Sequence, residues 1–471
     1  MSGGSVTGRS AQDLRDALAR AVRDGMPRAR ADLEDLVAFR SVANPEIEPA
    51  DECHHAAALV ASLLVEEGFD DVDQLPAPDG STAVVARRAA PPGAPTVLLY
   101  SHYDVVPAGD LQAWETPPWQ LTERDGRWYG RGSADCKGNL VASLLALRAL
   151  AHVCGEWPVG VAVLCEGSEE QSSGGTEALV RERPELVHCD ALVLADTGNV
   201  ELGLPTVTTS LRGTGSVLVT VRTMERPAHS GMYGGAVPDA LQALLMALAS
   251  LRDETGETTV DGLAHDGTWQ GAPLDDERLR ADAALLDGVD PLPGRDASAA
   301  DLLWARPAAT VLAIDCPPVS QVTAAVQGEA RAVVNLRVPA GTDAAHAQQL
   351  LTDHLVRHTP FGAHVEVRPV SLGQPFEART DGPAYRAMTR AMRDAFGRDV
   401  VTTGQGGSIP LATALAELLP DAEILLVGVE EPGCRIHGPN ESVDPDELRR
   451  TALAQALFLA DLGGLLDGDD Q

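Results

Sequence analysis

The stretch "LLYSHYDVVPAG", residues 98–109, points most directly to an α/β fold. It begins as an apolar run and then places His102 and Asp104 two residues apart, just before proline and glycine. An apolar run bounded in this way is typical of a buried strand. Open α/β sheets bind ligands beyond the carboxyl ends of their strands. The stretch therefore predicts a strand that delivers a histidine and an aspartate to a functional edge.

Similar short apolar segments follow and precede it. They are "TAVVA" at 82–86, "GVAVLCEG" at 160–167 and "ALVLAD" at 191–196. Between the strands, "NLVASLLALRALAH" at 139–152 predicts a helix with Asn139 as its N-cap. Strands that alternate with helices predict a mixed, mainly parallel sheet flanked by helices.

The pattern changes near residue 211. Alternating strands are predicted at 214–223, 330–339 and 363–371, separated by helices near 238–252 and 343–358. This order predicts an inserted α+β domain of the ferredoxin-like type. The outer pattern then returns with a strand at 423–429 and a final helix from residue 445. We therefore predict an α/β domain at 1–210 and 382–471, interrupted by an inserted domain at 211–381.

Composition narrows the class of protein. A chain of 471 residues is long enough for two domains, and its net charge of −33 argues against nucleic acid or an anionic membrane as a partner. The seven cysteines form no C-x-x-C pair, and neither a secretory leader nor a bilayer-spanning apolar run is visible. We expect a cytoplasmic protein.

A set of acidic and imidazole side chains follows the predicted strands of the outer domain. The set is His102, Asp135, Glu169, Glu170, Asp196 and His437. Two histidines and three carboxylates, with one glutamate to spare, suit two zinc ions. A carboxylate that bridges two metals is the arrangement of two-metal hydrolases.

Taken singly, these residues have ordinary explanations. A histidine after a strand is more often a structural polar group than a ligand, and two adjacent glutamates usually form a solvated face. The loop "GRGSADCKG", residues 130–138, is not a phosphate loop, because it departs from G-x-x-x-x-G-K-[ST]. G-x-S-x-G and H-E-x-x-H motifs are also absent. These absences disfavour a nucleotide-dependent enzyme, and they remove two other hydrolase mechanisms.

The complete motif series is more specific than any single piece. "SHYDVVP", "GRGSADCKGN", "EGSEEQSSGG", "LADTGN", "RPAHSGMYGG", "GQGGSIP" and "HGPNES" resemble the series of the dinuclear zinc peptidases. That family includes carnosinase, cytosolic non-specific dipeptidase, succinyl-diaminopimelate desuccinylase, carboxypeptidase G and aminoacylase. The resemblance runs from about residue 83 to the final helix, and "HSGMYGG" and "GGSIP" favour the carnosinase-like dipeptidase branch.

The resemblance implies a role for each residue of the metal set. Asp135 would bridge two zinc ions, with manganese or cobalt as alternatives. His102 and Asp196 would complete the ligands of one ion, and Glu170 and His437 those of the other. The peptide bond that follows Asp135 would be cis.

Two further residues would support the chemistry. Glu169 would be the general base, facing the substrate while Glu170 ligates, since neighbours in an extended segment diverge. Asp104 would fix the tautomer of His102.

The resemblance also makes the inserted domain a lid and dimerisation domain. His229 would act in the active site of the partner subunit of a homodimer, Arg337 would bind the substrate carboxylate, and Ser408 would be a further substrate contact. The alternatives are a glycine-rich surface turn for His229, a solvent-facing strand position for Arg337 and a helix N-cap for Ser408.

The expected function is a two-zinc metallohydrolase that cleaves dipeptides or small N-acyl amino acids. The branch commonly has glutamate where Gln405 stands, and residues 324–327, "AAVQ", replace another family segment that lines the substrate pocket. An N-acyl-amino-acid deacylase or carboxypeptidase is therefore the alternative enzyme. A non-catalytic metal or small-molecule binding protein is a further alternative, which the spare Glu169 disfavours.

Overall fold

The computed structural model describes residues 10–171, 173–294, 296–407 and 409–466. Ser408 lies outside these residues, so its predicted substrate contact stays a prediction. In chain order the helices are α1 (Ala11–Val37), α2 (Ala50–Glu66), α3 (Lys137–Cys154), α4 (Gly175–Glu182), α5 (Ser230–Tyr233), α6 (Ala240–Ala249), α7 (Asp276–Asp282), α8 (Ala344–His358), α9 (Pro383–Phe396), α10 (Pro410–Leu418) and α11 (Pro445–Leu462).

The strands are mostly short, as their apolar runs predict. In chain order they are β1 (Asp71–Pro76), β2 (Thr82–Arg88), β3 (Thr96–His102), β4 (Thr122–Arg124), β5 (Arg127–Tyr129), β6 (Gly160–Glu166), β7 (Ala191–Ala195), β8 (Thr206–Leu211), β9 (Gly213–Arg222), β10 (Ala228–His229), β11 (Ala308–Asp315), β12 (Ala325–Val326), β13 (Glu329–Val338), β14 (His364–Gly373), β15 (Phe376–Glu377), β16 (Val401–Gln405), β17 (Glu423–Val427) and β18 (Ser442–Val443).

Residue contacts divide the chain into two compact units. The first contains the chain up to residue 209, residues 378–403 and the chain from 410 onward. The second contains residues 210–377 and 404–409. The predicted limits 1–210, 211–381 and 382–471 stay a prediction, as do the lid and dimerisation roles of the inserted segment.

The first unit is built on a mixed sheet. Its strand order is β1-β2-β6-β3-β7-β17-β8, and β16 also pairs with β8. The four central strands β6, β3, β7 and β17 are parallel, and the flanking pairs β1–β2, β2–β6 and β17–β8 are antiparallel. The predicted fold class, a mainly parallel sheet flanked by helices, is confirmed.

Helices α1, α3, α9 and α11 pack against one another and share one apolar core with the sheet. Helix α1 shows why the sequence folds this way. Ser10 and Asp13 form a reciprocal capping box at its start. Its apolar residues recur every three or four positions, so Leu14, Leu18 and Val22 are fully buried on one face.

The predicted N-cap of α3 is wrong. The helix begins at Lys137, two residues before Asn139, and Cys136 precedes it. Asn139 lies inside the helix because its side chain is needed elsewhere: it donates to Glu430 and accepts the backbone N–H of Val429. Within the described residues, no helix has both the length and the apolar character that a membrane crossing requires.

The second unit has the predicted ferredoxin-like order. Strands β9, β11, β13 and β14 form an antiparallel sheet in the order β11-β13-β9-β14, and α6 and α8 pack on it. Strand β11 was not among the predicted strands. Its sequence, "AATVLAID" at 308–315, lacks the alternation of apolar and polar residues by which the other three were recognised, and the strand is exposed after Ala309.

Candidate metal centre

The predicted ligands follow the central parallel strands of the first unit. His102 is the last residue of β3, and Asp196 follows β7 directly. Glu169 and Glu170 lie in the loop after β6, and His437 lies in the loop after β17. Because β6, β3, β7 and β17 are parallel neighbours, their carboxyl ends share one edge of the sheet, where α/β proteins place their ligands.

Asp135 lies between the two histidines. Its Oδ1 is 3.1 Å from His102 Nε2, and its Oδ2 is 3.1 Å from His437 Nε2. Each imidazole faces one further carboxylate: His102 Nε2 is 3.2 Å from Asp196 Oδ1, and His437 Nε2 is 3.1 Å from Glu170 Oε2. The structure thus brings the five side chains together in the two groups that the sequence analysis proposed, joined by the two oxygens of Asp135. The peptide bond between Asp135 and Cys136 is cis, as predicted.

The chemistry of this donor set fits divalent cations. Burial, reinforced by Asp135 and Glu170, raises the pKa of Asp196 to about 6 even though His102 faces it. Hydrogen bonds with Asp135 and Glu170 raise the pKa of His437 to about 10. Carboxylates gathered in a buried site need positive charge between them. Imidazoles that alternate with carboxylates are the donors that zinc and similar ions prefer.

The loop that presents His437 has unusual backbone geometry. Arg435, His437 and Asn440 all have positive φ angles, of 54°, 63° and 63°. Such values are unfavourable for residues other than glycine and concentrate at functional sites. Neighbouring contacts hold the loop: the Asn440 side chain accepts from the backbone of Glu115 and donates to the carbonyl of Ala113.

Glu169 lies next to Glu170 in the chain. Its side chain belongs neither to the group of carboxylates around His102 nor to the group around His437. Burial, followed by the charge of Asp196, raises its pKa to about 9. The sequence analysis expected Glu169 and Glu170 in an extended segment, and this detail is wrong because residues 169–171 form a 3₁₀ turn. Successive side chains still diverge in such a turn, at three residues per turn, so one glutamate can ligate while its neighbour stays free.

Asp104 contacts both His102 and the turn that carries Glu169 and Glu170. Its carboxylate oxygens accept the backbone N–H groups of Glu169 and Glu170, each at 3.1 Å. His102 Nδ1 is 3.1 Å from the backbone carbonyl of Asp104 and 3.4 Å from its carboxylate. His102 Nδ1 therefore faces both the carbonyl and the carboxylate of Asp104, and the same carboxylate holds the turn of the two glutamates.

The sequence analysis did not single out Glu441, although it belongs to the quoted "HGPNES" motif. Its fully buried carboxylate accepts the backbone N–H groups of Gly132, Ala134 and Asp135. It also receives Arg131 Nη1 at 2.5 Å, and Arg131 is only 1% exposed. One ion pair thus fixes the backbone of the loop that carries Asp135.

We expect Glu441→Ala to destabilise the protein strongly. The substitution leaves the buried Arg131 charge without its partner and frees three backbone N–H groups. Breaking a buried ion pair on one side typically costs about 3–5 kcal/mol. Urea unfolding of the variant and of Arg222→Gln, an exposed control that loses surface pairs with Glu329 and Glu366, measures the difference. A loss below about 1 kcal/mol for Glu441→Ala would contradict this role.

Two other polar groups next to the ligands were also missed. A Glu430 carboxylate oxygen lies within 4.8 Å of ligand atoms of Asp135 and Asp196, and it accepts from Asn139. The Lys137 ammonium is fully buried and donates to the carbonyls of Leu36 and Phe39. This lysine is engaged in the fold, which agrees with the conclusion that its loop does not bind phosphate.

The remaining predicted residues lie in the second unit. His229 ends β10 and is exposed, and its Nδ1 accepts the backbone N–H of Gly231 at 3.1 Å. Arg337 is on β13, and burial lowers its pKa. Their predicted roles stay predictions.

Comparison with known proteins identifies the family. The family model described as "Peptidase family M20/M25/M40" matches residues 98–461. The Cysteinylglycine-S-conjugate dipeptidase of Corynebacterium striatum is 43% identical over 418 residues, 88% of this chain and 91% of the relative. The Beta-Ala-His dipeptidase of Homo sapiens is 28% identical over 87% of this chain and 83% of its own length.

Solved structures agree with the fold. Human carnosine dipeptidase 1 superposes with a TM-score of 0.74 at 25% identity, covering 96% of this chain and 99% of that one. An M20 metallo-carboxypeptidase of Sulfolobus solfataricus gives 0.77 at 20% identity, covering 92% and 98%. The predicted resemblance and the prediction of a metallopeptidase are confirmed. The chain belongs to peptidase family M20/M25/M40, in its dipeptidase branch.

Proposed function

We propose that the chain hydrolyses the amide bond of dipeptides with two zinc ions held by His102, Asp135, Glu170, Asp196 and His437. One observation carries this proposal. The two carboxylate oxygens of Asp135 face different imidazoles, and each imidazole faces one more carboxylate. A bridging carboxylate between two similar ligand groups is the arrangement that two-metal hydrolases require.

Two bound divalent ions would polarise the scissile carbonyl and make the attacking water more acidic. The protein groups supply the remaining steps. Glu169 accepts a proton from the water and passes it to the leaving amine. The Asp104 carboxylate holds Glu169 in place by accepting a hydrogen bond from the Glu169 backbone N–H. The partner's His229 donates a hydrogen bond to the carbonyl oxygen as negative charge develops there.

The names of the relatives support a dipeptide as the substrate. The Corynebacterium striatum relative is a Cysteinylglycine-S-conjugate dipeptidase, and the human one is a Beta-Ala-His dipeptidase. We assign the free carboxylate of the dipeptide to Arg337, since a guanidinium binds a carboxylate through two parallel hydrogen bonds. An N-acyl-amino-acid deacylase is the second candidate, because Gln405 supplies no negative charge for a free amine.

We propose a cytoplasmic homodimer that forms through the inserted segment. Strand β11 is an edge strand of its sheet, and it exposes Val311, Leu312 and Ile314 by 44%, 61% and 36%. An apolar, exposed edge strand is a natural site of pairing with another chain.

We expect two metal ions per chain. The five side chains provide two similar ligand groups, so loading should saturate at two zinc equivalents. Mass spectrometry of native protein after stepwise zinc addition gives the stoichiometry, with manganese and cobalt tested in parallel. Saturation at a single equivalent would contradict the bridging role of Asp135.

Zinc-loaded protein should release amine faster from dipeptides than from the matching N-acetyl amino acids. Cys-Gly and β-Ala-His are the first dipeptides to test, with N-acetylglycine and N-acetylhistidine as their acylated counterparts. Preference for the acetylated compounds would replace the dipeptidase with a deacylase. Turnover of neither class would contradict the proposed function.

A further inference from the structure

The second unit contains a cavity that the proposed metal chemistry does not use. Its volume is about 370 Å³, within the range of small-molecule sites. Side chains from the segment between α6 and β11 form much of its wall, among them Leu279, Leu285, Leu292 and Leu302. Most of this wall is apolar, so the cavity favours a ligand with a hydrocarbon body.

Arg212 supplies an unusual charge to this wall. Only 9% of the residue is exposed, and its Nε and Nη1 atoms are buried without a hydrogen-bond partner in the described part of the chain. Burial, reinforced by the positive charge of Arg337, lowers the pKa of Arg212 to about 10. A buried guanidinium without an acceptor is costly, since both its charge and its N–H donors have lost water.

The charge balance of the cavity is positive in a strongly acidic chain. Arg212, Arg252 and Arg306 line it, and Glu257 is the one carboxylate among its described lining residues. Glu257 is paired with Arg306 at 2.7 Å, and Arg252 donates to the carbonyls of Gly256 and Ala309. Arg212 is therefore the arginine with donors left for a ligand, although the chain as a whole carries a net charge of −33.

We propose that this cavity binds a small carboxylate with an aliphatic or aromatic body, with the carboxylate on Arg212 and the body against the four leucines. A carboxylate matches the forked donors of a guanidinium and would satisfy Nε together with a terminal nitrogen. Free phosphate matches the charge but leaves the apolar wall without a partner. None of the residues described as lining this cavity is a proposed metal ligand, so the site goes beyond the proposed metal chemistry.

Isothermal titration calorimetry with the zinc-loaded full chain tests the proposal. The probe is 4-phenylbutanoate, and the comparators are 4-phenylbutan-1-ol, which keeps the body without the charge, and inorganic phosphate. We expect the acid to bind at least tenfold more tightly than either comparator. Absence of binding by the acid, or equal binding by the alcohol or by phosphate, would overturn the proposal.

Variants locate the probe. Arg212→Met should weaken binding of 4-phenylbutanoate at least tenfold, and its thermal unfolding midpoint should be no lower than that of the parent, because an unpaired buried charge is removed. Arg222→Gln, an exposed arginine of the same unit, is the matched control and should bind normally. Undiminished binding by Arg212→Met would place the probe elsewhere, for example on the metal ions, and would overturn the proposal.

A second variant keeps the test decisive if Arg212→Met does not fold. Ala299→Phe keeps every charge and fills part of the cavity, because Ala299 lines it and is 8% exposed. We expect this variant to lose the probe while turning over dipeptides normally. Retained binding would show that the cavity is not the site.

Discussion

Glu169→Ala should keep both metal ions and lower kcat by about 10²–10⁴-fold, the usual contribution of a positioned general base. The substitution removes the proposed proton acceptor without removing a proposed ligand, since the ion pairs of His102 Nε2 and His437 Nε2 in the described part of the chain are with Asp135, Asp196 and Glu170. Its backbone N–H still donates to Asp104, so the turn that carries Glu170 keeps its support.

The adjacent glutamate provides the matched control. Glu170→Ala should lower metal content, because the Glu170 carboxylate faces His437 at 3.1 Å in one of the two ligand groups. Metal analysis of both variants, together with kcat and KM for one dipeptide, separates the two roles. Loss of metal from Glu169→Ala with full retention in Glu170→Ala would show that the two assignments must be exchanged.

Much of the candidate metal centre was predictable because it depends on local order along the chain. An apolar run that ends in a histidine or carboxylate marks the end of a strand, and parallel neighbours place those ends together. His102 and Asp196 were found in this way. Asp135 and His437 lie in longer loops, and they were assigned roles by the resemblance of their motifs to a family.

The supporting residues were not predictable in the same way, because their roles depend on contacts distant in sequence. Glu441 acts on backbone N–H groups of residues 132–135, some 300 positions away. Asn139 resembles a helix N-cap locally, but its partners Val429 and Glu430 come from the other end of the chain. Strand β11 has apolar residues at successive positions, and most of it is exposed in the single chain. It therefore lacks the alternation of apolar and polar residues that marks a half-buried strand.

The last prediction concerns the proposed homodimer, in which each active site would take Glu169 from one chain and His229 from the other. Glu169→Ala then damages the site of its own chain, and His229→Ala damages the site of its partner. A mixed dimer has one site with both defects and one with neither, so it should regain about half the activity of a parent dimer. Random exchange of equal amounts makes half of the dimers mixed, and the mixture should reach about a quarter of the parent activity.

The measurement must show subunit exchange as well as activity. Native mass spectrometry of one isotopically labelled variant mixed with the other gives the fraction of mixed dimers, and the released amine gives the rate. Recovery in proportion to that fraction supports a shared site, because neither variant alone contains an intact one. Exchange without recovery would mean that His229 acts within its own chain or not in catalysis. Its exposed position at the end of β10 would then be explained by the glycine-rich turn, where its Nδ1 accepts from Gly231.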